Sequence, residues 1–347
     1  MVSKRILFHL IVCVLAAAVW ASCASEHRRI PIDDVRLPGD HQVIHWMEVL
    51  HDLPGGQNRA KALAHMTEAH PEFWPLWCED ILQLGDAQDS TTVDVLRQFL
   101  IEMHPMLDAI DSTSGRPEVL RRETDALLDG LKRHQVLFPD APVPDIIMMP
   151  SGFNFAVFPT PSCLGLGLDW YMGPEHPLLQ ELPPSQFPQY RLNRMKPEWM
   201  ASDAMKGWLL VTQQHRIPPG ARTADLMLFW GQILHLTSLC MPDATPAQLM
   251  NWTPEQWAWA EANERAIWAQ VQPQERMFNN RPRDVMRWFQ EGPFTRVGDI
   301  PQDSPDRLGA YLGWKMVQAQ TAERGDLPAH GWFEARDPQP FLRTYRP

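Results

Sequence analysis

The stretch DIIMMPSGFNFAVFPTPSCLGLGLDWYMG, residues 145–173, decides the fold. It holds three short apolar runs, 145–149, 153–158 and 163–168, split by proline and glycine. That is the pattern of a small antiparallel meander. Three such strands cannot stand alone and need helices on one face. The flanking sequence supplies them. Residues 41–140 read as helices, with breaks at Pro71 and at Asp111-Ser-Thr-Ser-Gly115 and an amphipathic run from Val119 to Val136. After residue 196 the spacing predicts helices over about 198–215, 222–241, 254–271, 281–290 and 305–323. Thr253-Pro-Glu-Gln256 is an N-cap, a proline at the first helical position and a glutamine placed to close a capping box. Thr245-Pro-Ala-Gln248 repeats the device, and Ser304-Pro305 is expected to open the last long helix. Residues 326–347 read as an irregular tail. The fold class is therefore α+β: a predominantly helical single domain with a small three-stranded antiparallel sheet around 145–170.

Helix 222–241 is apolar almost all round, through Leu226, Met227, Leu228, Phe229, Trp230, Ile233, Leu234 and Leu236. Such a helix lies either in the centre of a core or in a membrane. Gln232 and His235 within the run, and Pro242-Asp243 just after it, favour the core. Gly309 and Gly313, four apart, predict a close helix–helix approach.

Composition excludes several classes. With 14 Phe and 15 Trp the chain of 347 residues is not disordered. Charges interrupt every apolar run after residue 20, which excludes a multi-span membrane protein. Asp and Glu number 42 against 31 Lys and Arg, a net charge of −11 that argues against nucleic acid as partner. Cys78, Cys163 and Cys240 are an odd set and read as buried thiols acting as small hydrophobes, with one unpaired or bridging chains as the other reading.

The first residues read as a leader. Lys4-Arg5 precede the apolar run from Ile6 to Val19, and Ala21-Ser22-Cys23 follow. Small residues before a cysteine at the end of such a run resemble a bacterial lipobox, although Trp20 stands where leucine is usual. The expectation is a signal peptide over 1–22, a lipid on Cys23 that holds the chain to the membrane, and a polar tether over 23–40. The rival is ordinary secretion with cleavage after Ala21. Either cut removes Lys4 and Arg5, two positive charges, and takes the net charge from −11 to −13.

Two weaker constellations carry chemistry. His41 and His45 are four apart, as two ligands on one helix face would be. Gln42 stands where a zinc peptidase needs its glutamate base, so chance placement is the plainer reading. On helix 254–271, Trp257, Ala260, Ile267, Trp268 and Val271 share one face with Glu264 at its centre and Glu261 at its edge. A carboxylate so placed is either paired, with Arg307 or Lys315 as candidates, or a ligand-binding or catalytic group. Trp259 points the other way, as a second packing surface or an exposed aromatic platform. The chain holds no HExxH, GxSxG, Walker or CxxC motif.

An ordered set of segments resembles the gliding-motility lipoprotein GldB family of the Bacteroidota. It comprises Pro150-Ser-Gly-Phe-Asn-Phe155, 164–173, Pro188-Gln-Tyr-Arg191, Arg194-Met-Lys-Pro-Glu198 and Asp203-Ala-Met-Lys-Gly-Trp208. It continues through Gly231-Gln-Ile-Leu234, Leu239-Cys-Met-Pro-Asp243, 256–268, Gly292-Pro-Phe294, 304–309 and Gly313-Trp314. The resemblance implies a lipid-anchored component of the periplasmic face of the cell envelope, more in keeping with the outer membrane than the inner. It implies a role in gliding motility and the linked type IX secretion pathway, with other envelope proteins as partners. It implies no cofactor and no catalytic residue. The family is also distantly similar to predicted zinc peptidases, which carry HExxH on the helix after the small sheet. Here that helix, 198–215, holds no such pair, so the resemblance implies a degenerate zincin-like core and a pseudoenzyme with no metal site, Glu264 being a relic of the old cleft. The functional expectation is a non-catalytic protein that works by protein–protein contacts. The alternatives are a divergent hydrolase using Glu264 and another carboxylate outside the known motifs, or a peptide- or glycan-binding module.

Overall fold

The structure, a computed structural model, describes residues 29–39, 41–51, 53, 64, 66–68, 70–89, 91–324 and 329–347. Cys23, the leader and the first residues of the tether lie outside them. The sheet has four strands, not the expected three: β1 (Val43–His45), β2 (Asp145–Met149), β3 (Val157–Pro159) and β4 (Cys163–Gly167). Their order is β1-β2-β4-β3. β1 and β4 both run parallel to β2, and only β3 is antiparallel to β4. The sheet is thus mixed rather than an antiparallel meander. The chain leaves β2, crosses the place β4 will fill, runs back as the edge strand β3 and only then returns as β4.

A buried carboxylate sets that path. Asp169, fully buried just after β4, accepts hydrogen bonds from Ser151 N at 2.6 Å, Ser151 Oγ at 2.8 Å and Phe153 N at 2.5 Å. Gly152 and Phe153 both take positive φ, 62° and 61°, to turn their N–H groups inward. The second apolar run is therefore a pinned turn until Val157, where strand pairing begins. Burial raises the Asp169 carboxyl against the pull of these donors.

β1 also corrects a helical expectation. His45 lies in a strand that pairs with β2 through His45 and Met148, and His41 precedes that strand. In extended chain four residues span roughly 13 Å, so His41 and His45 do not share a helix face.

The helices of eight or more residues among the described ones are α1 (Thr92–Glu102), α2 (His104–Ser112), α3 (Pro117–Leu137), α4 (Met200–Gln213), α5 (Thr223–Cys240), α6 (Pro254–Ala262), α7 (Glu264–Val271) and α8 (Leu308–Arg324). α5 is buried almost all round and forms the middle of the core, and no helix among the described residues is long and apolar enough to cross a membrane. Both N-caps form, but only one box closes, since Gln248 turns its side chain to the Glu198 carbonyl at 2.7 Å. Thr253 and Gln256 close a capping box, and Thr245 Oγ1 accepts from Gln248 N at 3.2 Å. The expected helix 254–271 breaks at Asn263, whose Nδ2 donates to the Trp259 carbonyl at 2.8 Å. Ser304-Pro305 does not open α8, which starts at Leu308 because Asp306 and Arg307 turn inward to other partners. The stretch 281–290 is helical only over Pro282–Met286. The C-terminal segment carries short helices at Ala329–Phe333 and Gln339–Thr344, the second packed on α8. Cys78, Cys163 and Cys240 are buried free thiols, and burial pushes Cys78 up to about 12.

α5 and α8 make the most extensive helix–helix contact, and they cross at glycine. A Cβ on Gly313 would fall 2.0 Å from the Met227 carbonyl oxygen, and one on Gly231 would fall 2.1 Å from the Gly313 oxygen. These neighbours are backbone, so no rotamer change relieves the clash. Gly313→Ala should therefore force the helices apart and cost about 3 kcal/mol in urea unfolding. Gly292→Ala, whose new Cβ would meet nothing closer than 3.5 Å, should leave the midpoint close to wild type. Equal midpoints for the two variants would contradict this crossing.

Candidate functional site

The turn that Asp169 pins delivers Asn154, Phe155 and Ala156 to one end of a groove between β3 and α4. Gly207 on α4 lets the strand lie close, since a Cβ there would sit 2.8 Å from Val157 Cγ1. The groove is a cavity of about 330 Å³, with Phe155, Val157, Leu210 and Trp230 on its apolar side. Its polar side is Arg191, Arg194, Asp203, Lys206, Asn251, Glu291 and Arg307. A neighbouring cavity of about 500 Å³ shares Asn154, Trp170, Arg191 and Glu291 with it.

The polar side is built on two buried clusters. In the first, Lys206 Nζ donates to Asp203 at 3.2 Å, to the Leu249 carbonyl at 3.0 Å and to Asn251 Oδ1, while Asn251 Nδ2 donates to Asp203 at 2.7 Å. Burial holds the Lys206 ammonium below its ordinary value against the opposite pull of Asp203. Asn251 reaches across from a loop at φ 52°. In the second, Asp306, with no exposed side-chain surface, accepts from Arg194 at 2.7 Å, Trp252 Nε1 at 2.9 Å, Gly292 N at 3.0 Å and Arg307 Nε at 3.3 Å. Burial alone would raise the Asp306 carboxyl, but Arg307 and Arg194 outweigh it and hold it below the usual carboxylate range. Arg307, at φ 54°, also donates to the Met250 carbonyl and faces Glu291 at 3.9 Å.

Most residues of this groove come from separate segments singled out in the sequence: 150–155, 164–173, Arg191, Arg194, Asp203 to Gly207, and Asp306-Arg307 beneath. Sequence reasoning did not assemble them into a site. One signal was available. Asp203 and Lys206, three apart on an otherwise apolar helix, can meet each other inside a core but cannot reach water there.

The family model for the gliding motility protein GldB matches residues 32–347. The chain belongs to the GldB family. No curated protein and no solved structure matches it. Family membership makes this a gliding-motility protein of the lipoprotein kind and points to other envelope proteins as its partners.

The residues named from sequence lie elsewhere in this GldB-family fold. Glu264 opens α7 and sits between two phenols: Tyr311 and Tyr345 each donate to it at 2.7 Å, and Lys315 Nζ stands 3.5 Å away. Of the two cations considered, Lys315 is the partner, while Arg307 belongs to the Asp306 cluster. Burial, then Glu264 itself, pushes both phenols far above their ordinary value, so they stay hydrogen-bond donors. Tyr345 also meets Trp268 edge to face at 4.9 Å. Glu264 thus fastens the C-terminal segment to α7 and α8. Glu261 is a half-exposed rim group 3.8 Å from Lys315. Trp259 is half-buried against the core, a packing surface rather than an exposed platform. Cys23 lies outside the described residues. Among the described residues no three His, Cys, Asp or Glu side chains cluster as metal ligands would.

The two carboxylates should differ in cost. Asp306→Asn leaves Arg194 and Arg307 with only the half-exposed Glu291, 3.6 and 3.9 Å away, as counter-charge and should lose about 3–5 kcal/mol in urea unfolding at neutral pH. Glu264→Gln keeps one acceptor for a phenol and sits nearer to water, so its loss should be about 1–3 kcal/mol. A Glu264→Gln protein less stable than Asp306→Asn would reverse the assignment of the central charge.

Proposed function

We propose that the protein is a lipid-anchored component of the cell envelope, held by a lipid on Cys23, that supports gliding motility and the linked type IX secretion pathway through protein–protein contacts and without catalysis. In this reading it faces the periplasm, at the outer membrane, and the groove beside β3 is the contact site. One observation carries the reading: the groove's buried charges are already matched to each other. The Lys206 ammonium meets three oxygens, and Asp306 accepts from four donors. A general base or nucleophile needs a lone pair or proton free to exchange with substrate. The hydrolase alternative rests on Glu264, whose clamp between two phenols and Lys315 favours a structural role.

Among the described residues, the groove leaves open its apolar wall and the outer edge of β3. Gly167 N donates to the Ala156 carbonyl at 2.9 Å, and Thr160 N to the Cys163 carbonyl at 2.7 Å. By the period of two, Val157 between them turns its N–H and C=O away from β4. A partner segment in extended form can pair there and set side chains against Leu210 and Trp230. Pro159, with no N–H, limits how far such pairing runs.

Leu210→Glu places a charge on the half-buried wall without touching either cluster. It should fold with a urea midpoint near wild type and stay at the membrane, yet lose surface spreading or release of secreted proteins. Full spreading and secretion by this variant would contradict the groove as contact site. Cys23→Ser should abolish lipid labelling and move the protein to the soluble periplasmic fraction. A Cys23→Ser protein that stays membrane-bound would contradict the anchor.

A further inference from the structure

A second cavity, sharing no residue with the groove, carries two guanidiniums that no carboxylate meets at ion-pair distance among the described residues. It measures about 440 Å³ and is lined by Arg216, Arg222 and Arg336, with Pro219, Leu228 and Phe229 as apolar surface. Arg216 is only 7% exposed. Its guanidinium lies 4.1 Å from the Phe333 ring centroid and donates to Gln232 Oε1 at 2.7 Å and to the Phe333 carbonyl. Its Nε and the other terminal nitrogen are buried without a partner. Among the described residues no carboxylate forms an ion pair with Arg216 or with the exposed Arg336. Arg222, by contrast, is matched by Asp225 through two contacts of 2.8 Å.

A buried guanidinium with no carboxylate in contact is costly, and the exposed Arg336 adds like charge beside it. Burial pulls Arg216 down to about 9, with the Arg336 charge adding to the effect and Glu334 opposing it from beyond ion-pair distance. The group is still charged at neutral pH. Asp225 on the same lining is taken up by Arg222, and Glu334 acts on Arg216 only from beyond ion-pair distance, so neither Arg216 nor Arg336 has a carboxylate in contact among the described residues. A buried guanidinium with no carboxylate in contact, beside a second one at the surface, is an arrangement suited to an anionic ligand. Two unmatched charges call for a dianion with several acceptor oxygens. A phosphate monoester carries about −1.5 to −2 at neutral pH and three such oxygens, whereas a carboxylate brings one charge. Net negative charge repels an anionic bilayer, which favours a soluble phosphate over a lipid headgroup.

We propose that this cavity binds a phosphate monoester, its oxyanion set against Arg216 and Arg336 and its body on Leu228 and Phe229. The C-terminal segment is part of the site. Gln232 Nε2 donates to the Trp332 carbonyl at 2.7 Å and to the Ala335 carbonyl at 3.0 Å, which positions Arg336 over α5.

The test uses the detergent-solubilised full chain, titrated calorimetrically with inorganic phosphate and with glycerol 3-phosphate at constant ionic strength. The expected result is saturable binding of one phosphate per chain and a higher melting temperature, with no such effect from acetate. Arg336→Gln and Arg216→Gln should each weaken binding at least tenfold. Without phosphate, Arg336→Gln should melt no lower than wild type, because it removes a like charge, so its lost binding cannot be ascribed to unfolding. Absence of saturable phosphate binding, equal binding of acetate, or wild-type affinity in Arg336→Gln would overturn the proposal. Sedimentation of Cys23→Ser protein with phosphatidylglycerol and phosphatidylcholine vesicles separates the sources. Equal, weak binding to both is expected, and phosphatidylglycerol binding that disappears in Arg336→Gln would overturn the soluble ligand in favour of a headgroup.

Discussion

The Asp306 carboxylate is the interaction on which the groove and its surroundings depend. It sits with no exposed side-chain surface and gathers Arg194, Arg307, the Trp252 indole and the Gly292 amide. Those four come from four separate stretches of chain. Removing charge from water is expensive, so such a carboxylate persists only when its donors are held in place by the rest of the fold. The cost is offset here by a rigid joint between the loop before α8, the loop carrying Trp252 and the segment that carries Arg194. Lys206 plays the complementary part on α4, a buried cation surrounded by oxygen. The two clusters meet along one wall, and that wall is the polar side of the groove.

The same economy explains the sheet. Asp169 lies inside the protein with no ion-pair partner among the described residues and takes three donors from the turn after β2. That turn carries the chain past the position of β4, so β3 becomes an edge strand whose face packs on α4 through Val157 and Gly207. The groove is thus the outcome of two buried carboxylates: one fixes the strand order, the other fixes the facing loops. The close crossing of α5 and α8 at Gly231 and Gly313 supplies the rigid backing.

Much of the helical part was legible in the sequence. The caps at Thr245 and Thr253, the core helix Thr223–Cys240 and the close approach at Gly313 follow from local chemistry within one or two turns. The sheet was legible only as strand-forming segments. Strand order depends on Asp169 meeting Ser151, and nothing local in the run 153–158 reveals that its first half is a turn. β1 was missed because three residues, Val43-Ile44-His45, carry too little pattern to stand out beside helical neighbours. Glu264 reads in the sequence as either paired or functional, but helix periodicity across Asn263 hid the break, and its two phenols come from residues 47 and 81 positions away. The groove itself was not read. Its members are scattered from Asn154 to Arg307, and only the fold brings Asp203, Asn251 and Lys206 together.

The GldB family places the chain in gliding motility, and the groove is the surface proposed for that role: apolar on one side, neutralised on the other, with a strand edge alongside. The most direct measurement is site-specific photo-crosslinking in living cells, with a photoreactive amino acid at Leu210 in the groove and at Trp268 on the far packing of α7. The account predicts a discrete adduct with another envelope protein from position 210 and none from 268. No adduct from position 210, or the same adduct from both, would contradict the groove as the place where this protein meets its partner.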